Sequence, residues 1–273
     1  METGTRTRTT ERLAGWIDPR LAFFVLVLVG WQVASLFFPQ NQFPGLGRLA
    51  ENVVVVVTST GRFDFVTNVS ITVQRIVLGF VVAMVFGTAL GIVMGIDELA
   101  ERYLTTPVMT FLAFPALIWA FLGILWFGLT TYQVPVFVII MVVTPYVVVN
   151  IWEGTKDIDA ALVQMAQSFD AGSARIWRDI YLPALQPYLF ATTRIAFSLA
   201  WKILLVAEIF GTNNGIGHIV NSFYLNFRAD MIIAWSLPIM LLMFGIERVL
   251  RRVETRAFAW RPEIGAEITA EAA

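Results

Sequence analysis

Long stretches without a charged residue constrain this chain more than any other feature. The longest, residues 103–152, contains no Asp, Glu, Lys or Arg. A helix that crosses the hydrocarbon core of a bilayer needs about 20 apolar residues, so this stretch is long enough for two spans. A polar turn at residues 128–133 separates them. We therefore expect an integral membrane protein.

Four further apolar segments complete a prediction of about six transmembrane helices in an all-α fold. Uncharged runs cover residues 21–47, 76–96 and 231–246, and an apolar stretch with three charges covers 187–210. Charged residues make up 14% of the chain, against about 25% in soluble domains. If the N-terminus is cytoplasmic, most Lys and Arg residues fall inside, which predicts that both termini are cytoplasmic.

This pattern predicts a cytoplasmic N-terminal segment at residues 1–20, a transmembrane domain at 21–252 and a cytoplasmic tail at 253–273. The chain has no cysteine and one histidine, which argues against thiol chemistry and zinc sites. Its net charge of −1 gives no indication of a nucleic-acid partner. We expect no catalytic, metal or cofactor site in the chain.

One predicted cytoplasmic loop, residues 153–186, is too polar to span a bilayer and is patterned as two short helices. Apolar residues recur along one side of residues 158–169. Residues 170–173 are typical of a turn, because Asp, Gly and Ser suit helix ends. Ser173 could cap the second helix, which the prolyl step at 182–183 would end. The pattern fits a docking surface and a cap that closes the bundle equally well.

The same loop resembles the signature of permease subunits of binding-protein-dependent ABC importers. That signature is Glu-Ala-Ala, three residues, Gly, nine residues, then Ile-x-Leu-Pro. Its spacing is met here, with departures at the Glu, the first Ala and the Gly. The Asp in place of Gly tolerates left-handed backbone, so the turn is expected to persist. The resemblance implies that an ATPase contacts the following residues: Gln164, Met165, Ala166, Asp170, Ala171, Gly172, Ile180, Leu182 and Pro183.

Four further strings make the resemblance closest to permeases for nitrate, sulfonates and taurine. They are Gln74-Arg75-Ile76-Val77-Leu78-Gly79-Phe80, Leu125-Trp126-Phe127-Gly128, Val206-Ala207-Glu208 and Gly215-Ile216-Gly217. The resemblance implies a type I importer permease in a prokaryotic plasma membrane, with alternating access to a small solute. Its partners would be an ABC ATPase, an extracytoplasmic solute-binding protein and a second permease copy. The chain has no phosphate-binding G-x-x-x-x-G-K-[ST] motif, so the ATPase would bind ATP.

Three charged residues within the fifth predicted span are candidates for the translocation path: Arg194, Lys202 and Glu208. A charge at the bilayer centre costs roughly 3 kcal/mol or more. Snorkelling toward opposite surfaces is sufficient to explain Arg194 and Glu208. Lys202 lies nearer the centre, so we expect it to face the path or a buried partner from another span. A cation in the path would suit an anionic solute.

Gly87, Gly91 and Gly95 recur at every fourth position and would lie on one face of the second span. Such a face allows close helix contact, and we favour a contact within the chain over one between subunits. The alternative function is an ion-coupled secondary transporter, which would usually show an internal repeat. An intramembrane enzyme would need a reactive constellation that the spans lack.

Overall fold

The computed structural model describes residues 19–257, in which all regular secondary structure is helical. A 3₁₀ turn at Gly61–Phe63 and a π turn at Trp177–Tyr181 accompany the α-helices. The predicted terminal segment 1–20 and tail 253–273 lie mostly outside the described residues. The α-helices are α1 (Pro19–Ala34), α2 (Leu46–Val57), α3 (Phe65–Ile96), α4 (Glu98–Ala113), α5 (Ala116–Phe127), α6 (Gln133–Lys156), α7 (Ala160–Ser168), α8 (Ser173–Ile176), α9 (Leu182–Gly211), α10 (Ile216–Leu225) and α11 (Ala229–Ala257).

All six predicted apolar segments are helical, as α1, α3, the pair α4 and α5, α6, α9 and α11. Within the described residues, four helices are long and apolar enough to cross a membrane: α3, α6, α11 and the continuous helix Ser173–Gly211. The α4–α5 pair adds a fifth if its halves form one span. At 16 residues, α1 is shorter than the usual span of about 20.

The predicted third span is bent by 93° between α4 and α5. Pro115 precedes the first residue of α5, and Phe114 has extended backbone at φ −75°, ψ 126°. A residue before proline is pushed out of the helical region by the proline ring, and proline itself donates no backbone hydrogen bond. Pro115 therefore breaks the helix, although the apolar run continues through this position.

The segment between α1 and α3 contains two helical regions, α2 and the 3₁₀ turn. The valine run around residue 55 belongs to α2. Asn52 Nδ2 donates to Asp230 Oδ2 at 3.2 Å, and Arg48 Nε lies 3.7 Å from the same oxygen, which ties α2 to α11. The next helix, α3, begins at Phe65 and runs for 32 residues, about 48 Å.

The glycine face of α3 packs against α6 of the same chain. A Cβ atom at Gly91 would lie 2.7 Å from the backbone oxygen of Val148, and one at Gly87 would lie 2.6 Å from Val147 Cβ. A Cβ atom at Gly95 would overlap the side chain of Thr155. The glycine face therefore forms a tight contact within the chain.

The second helix of the cytoplasmic loop does not end at Leu182 and Pro183. It continues from Ser173 through the π turn into α9, so this prediction is wrong. Proline excludes the carbonyl oxygen four residues before it, and the wider π turn removes that conflict. Ser173 is also the first helical residue and not the cap, which is Gly172.

Candidate functional site

The short helix α7 projects from the predicted cytoplasmic end of the bundle and has defined ends. The Asp159 carboxylate accepts a hydrogen bond from the Ala161 N–H at 2.8 Å, which caps its first turn. At its other end, Asp170 adopts φ +54°, and the Ala171 N–H donates to the Ala166 oxygen at 3.0 Å. This is the Schellman ending that usually takes glycine. The expectation that Asp keeps the turn is confirmed.

Large apolar side chains on α7 and its C-terminal turn are exposed. Phe169 is 80% exposed, Met165 54% and Leu162 46%. Gln164 is exposed beside them, and Ala166 is half-buried. Exposed apolar side chains clustered on one short helix are typical of a surface that contacts another protein.

The loop signature surrounds a cavity of about 590 Å³ between α6, α7 and the π turn. Ile180 and Pro183 line it together with Leu162 and Met165, whereas Leu182 is exposed. Gly172 is also exposed and Ala171 half-buried. The structure therefore gathers most of the signature around one end of the bundle.

Polar contacts hold this end of the bundle in place. The Tyr188 hydroxyl on α9 donates to Asp157 Oδ2 at 2.5 Å, beside the start of α7. The Lys156 ammonium donates to Glu101 Oε1 at 2.5 Å and joins α6 to α4. These two contacts join α9 and α4 to the end of α6, directly before α7.

A second site is a buried ion pair between α3 and α9. Arg75 Nη1 donates to Glu208 Oε1 at 2.5 Å, and both side chains are fully buried. The Thr72 hydroxyl lies 2.9 and 3.1 Å from the two carboxylate oxygens. The Gly217 N–H donates to Glu208 Oε2 at 2.9 Å. Every carboxylate oxygen has a partner, which a buried charge requires.

The turn between α9 and α10 completes this network. Arg75 donates to the backbone oxygen of Asn214 at 3.1 Å and also to its side-chain oxygen. Gly215 adopts φ +93°, and a Cβ atom there would overlap Arg75 and Glu208. The Tyr132 ring centroid lies 5.8 Å from the guanidinium carbon. Residues from three of the four strings that carried the resemblance thus meet at one point.

The snorkelling interpretation is wrong for Glu208, because its side chain is fully buried and does not reach the outer surface. The sequence pattern assigned Arg75 no partner. One sequence feature could have suggested the pair: two of the strings that carry the family resemblance contain opposite charges, Arg75 and Glu208. Their pairing requires knowing that α3 and α9 are neighbours.

The other two candidate path residues lie toward the cytoplasmic side of Glu208. Arg194 Nη1 lies 3.4 Å from Glu254 Oε2 on α11. Lys202 is exposed, and within residues 19–257 it forms no hydrogen bond or ion pair. Both line a groove of about 280 Å³ between α9 and α11. Their role in the translocation path stays a prediction.

Long apolar helices and a buried charge network that links two of them define a multi-pass membrane protein, and the short helix α7 exposes apolar side chains at one end of it. A family model described as "Binding-protein-dependent transport system inner membrane component" matches residues 83–258. The chain belongs to this family of ABC importer permeases. Family membership decides against the ion-coupled transporter, and the family as a whole works with ATPase and binding-protein partners.

Individual relatives cover most of the chain. A putative ABC transporter permease of Methanocaldococcus jannaschii is 27% identical, covering 89% of this chain and 91% of the relative. A taurine transport system permease of Escherichia coli is 25% identical, covering 88% of each. A nitrate import permease of Synechococcus elongatus is 24% identical, covering 79% of this chain and 82% of the relative.

The fold also matches a solved structure. A chain of the MetNI methionine ABC transporter, in an inward-facing conformation, superposes with a TM-score of 0.61 at 18% sequence identity. The match covers 70% of this chain and 94% of that chain. The type I importer fold predicted from the sequence is thereby confirmed.

Proposed function

We propose that two copies of this chain form the path through which an ABC importer moves a small anionic solute. The solute class is supported by relatives that are named for taurine, aliphatic sulfonates and nitrate. It is supported independently by the unpaired cation Lys202 within a span. Nitrate and alkanesulfonates are small anions and taurine carries a sulfonate group, so an oxoanion group is common to the solutes of these relatives.

The proposed mechanism depends on the exposed apolar side chains of α7 and its C-terminal turn. Phe169, Met165 and Leu162 would be covered by a separate ATPase subunit, which binds and hydrolyses ATP. This chain has no phosphate-binding loop, so it would contribute no catalytic residue and hold no cofactor. Buried aromatic anchors commonly dominate the binding energy of such interfaces.

The contacts behind α7 support transmission of ATPase closure to the spans. The π turn and α9 form one continuous helix with α8, and Tyr188 ties that helix to Asp157 before α7. Movement of α7 would act on α9 through this hydrogen bond, and α8, the π turn and α9 would tilt together as one continuous helix. An extracytoplasmic solute-binding protein would deliver the solute at the opposite end.

The proposed coupling can be tested by co-expressing the tagged permease with an ABC ATPase subunit. Phe169→Glu should reduce ATPase recovery on the tagged permease by about 30-fold, corresponding to a loss of about 2 kcal/mol at a hot spot. Phe37→Glu is the matched control, because Phe37 is 78% exposed but lies at the other end of the bundle. Equal recovery of the ATPase with both variants would contradict docking on α7.

A further inference from the structure

The groove between α9 and α11 contains an uncompensated cation. Glu254 lies 3.4 Å from Arg194, and Glu247 lies 3.4 Å from Arg251 on α11. These pairs leave Lys202 as the groove residue whose charge has no partner in the described part of the chain. A charged side chain within a span is expected to bind a ligand, because an unpaired charge there costs free energy.

Lys202 has hydrogen-bond donors beside it on the same helix. Ser198 lies one turn before Lys202, and Trp201 precedes it directly; both line the groove. Residues four apart on a helix are neighbours on its surface. A hydroxyl, an indole N–H and an ammonium group together form a donor set that suits an oxoanion.

The opposite wall of the groove is mostly apolar, and its one carboxylate, Glu247, lies 3.4 Å from Arg251. Met240, Met243 and Phe244 of α11 face the donors across a volume of about 280 Å³. This volume is near the lower limit of small-molecule sites. An oxoanion head beside Lys202 and a short aliphatic tail against the α11 wall would fill it.

The depth of Lys202 favours a solute over a lipid headgroup. Gly211, the last residue of α9, lies nine positions after Lys202, which is about 14 Å at 1.5 Å per residue. The hydrocarbon core is about 30 Å thick, so Lys202 would lie near its middle where Gly211 marks the outer boundary of the span. Phosphate groups of lipids lie at the bilayer surface, which is too far away to reach the groove without deforming the membrane.

We propose that the α9–α11 groove binds a small organic anion such as an alkanesulfonate, with its oxoanion head on Lys202 and Ser198. This proposal rests on the proposed function and adds a specificity-determining site to it. The apolar wall gives a preference for an alkanesulfonate over nitrate, because nitrate cannot cover Met243 and Phe244. Affinity should therefore rise from nitrate to ethanesulfonate.

Selective amine labelling tests the site directly. Lys156 and Lys202 are the only lysines of the chain, and Lys156→Arg retains the charge that faces Glu101. In the full-length Lys156→Arg protein, held in phosphatidylcholine nanodiscs, acetylation of Lys202 by a neutral succinimidyl ester is followed by peptide mass spectrometry. Ethanesulfonate at about ten times its dissociation constant should slow acetylation about ten-fold, whereas ethyl methyl sulfone should not.

Direct binding provides a second measurement that does not depend on amine reactivity. Radiolabelled ethanesulfonate should bind the wild-type chain in the same nanodiscs, about ten-fold more weakly to Ser198→Ala, and not measurably to Lys202→Met. Binding by Lys156→Met should equal that of wild type. Equal binding by wild type and Lys202→Met would overturn the site, as would slowing of acetylation by phosphatidylglycerol alone. Neither assay uses the ATPase, so failure here would leave coupling through α7 intact.

Discussion

Arg75 Nη1 lies 2.5 Å from Glu208 Oε1, and the two residues are 133 positions apart in the chain. Both side chains are fully buried, so the pair fixes α3 against α9 where the α9–α10 turn packs over them. A buried pair is only weak evidence for net stability, because desolvation opposes the attraction. Neutralising one residue of the pair nevertheless leaves the other as an unpaired buried charge.

We therefore predict that Glu208→Gln and Arg75→Met each destabilise the protein by about 3–5 kcal/mol. For a chain of this size, that corresponds to a fall in Tm of about 6 °C or more. The double variant should regain part of the loss, because neither charge is then stranded. Thermal unfolding of the four proteins in the same detergent forms a double-mutant cycle. Strictly additive losses would contradict the coupling.

The partner of Glu208 could not be predicted from sequence for a specific physical reason. The helical spacing of Arg194 and Lys202 excludes both as partners within α9, and the spacing alone leaves no other candidate. The correct partner depends on which spans are neighbours and on their vertical register. Those are set by contacts such as the glycine face of α3 against α6, not by hydropathy.

The glycine face of α3 yields a second prediction. Gly91→Ala would place Cβ 2.7 Å from the Val148 backbone oxygen and 2.9 Å from Ile151 Cβ. A backbone atom cannot move aside cheaply, so we expect a loss of about 1–3 kcal/mol and a lower yield of monodisperse protein. Gly245→Ala on α11 is the control, because nothing lies within 4 Å of its added Cβ. Equal melting temperatures for the two variants would argue against this packing.

The turn after α7 yields a third prediction. Asp170 adopts φ +54°, a conformation that costs most residues about 1–2 kcal/mol and glycine almost nothing. Asp170→Gly should therefore preserve ATPase recovery and solute-stimulated ATP hydrolysis. Asp170→Val should reduce both, because a β-branched residue disfavours that conformation. Retention of full coupling by Asp170→Val would show that the Schellman ending is dispensable.

The same loop shows where sequence reasoning succeeds and where it fails. The turn at Asp170 was predictable, because its chemistry is local and depends on one residue's tolerance for positive φ. The ending of the second helix at Pro183 was not, because the π turn at Trp177–Tyr181 absorbs the proline within a continuous helix. Likewise, the apolar run of the third span gave no measure of its 93° bend.

His218 gives a prediction about pH. Its Nε2 lies 3.1 Å from Arg62 Nη2 outside the membrane spans. Burial, followed by the positive charge of Arg62, lowers the pKa of His218 below its usual value of 6.5. The unfolded chain therefore takes up the proton more readily than the folded chain. The stabilisation is fully present above pH 6.5 and is lost as the pH falls toward the lowered pKa.

We expect the Tm of the wild type to fall more steeply between pH 7.5 and about pH 5 than that of His218→Gln, whose amide oxygen can still accept from Arg62. Because His218 is partly exposed, solvent screening will keep this difference small. Arg62→Gln should reduce the pH dependence without abolishing it, since burial is the larger cause. The measurement is the difference between melting curves across the pH series, so titration of the remaining groups cancels. Parallel profiles for the wild type and His218→Gln would show that the contact with Arg62 does not depend on the protonation of His218.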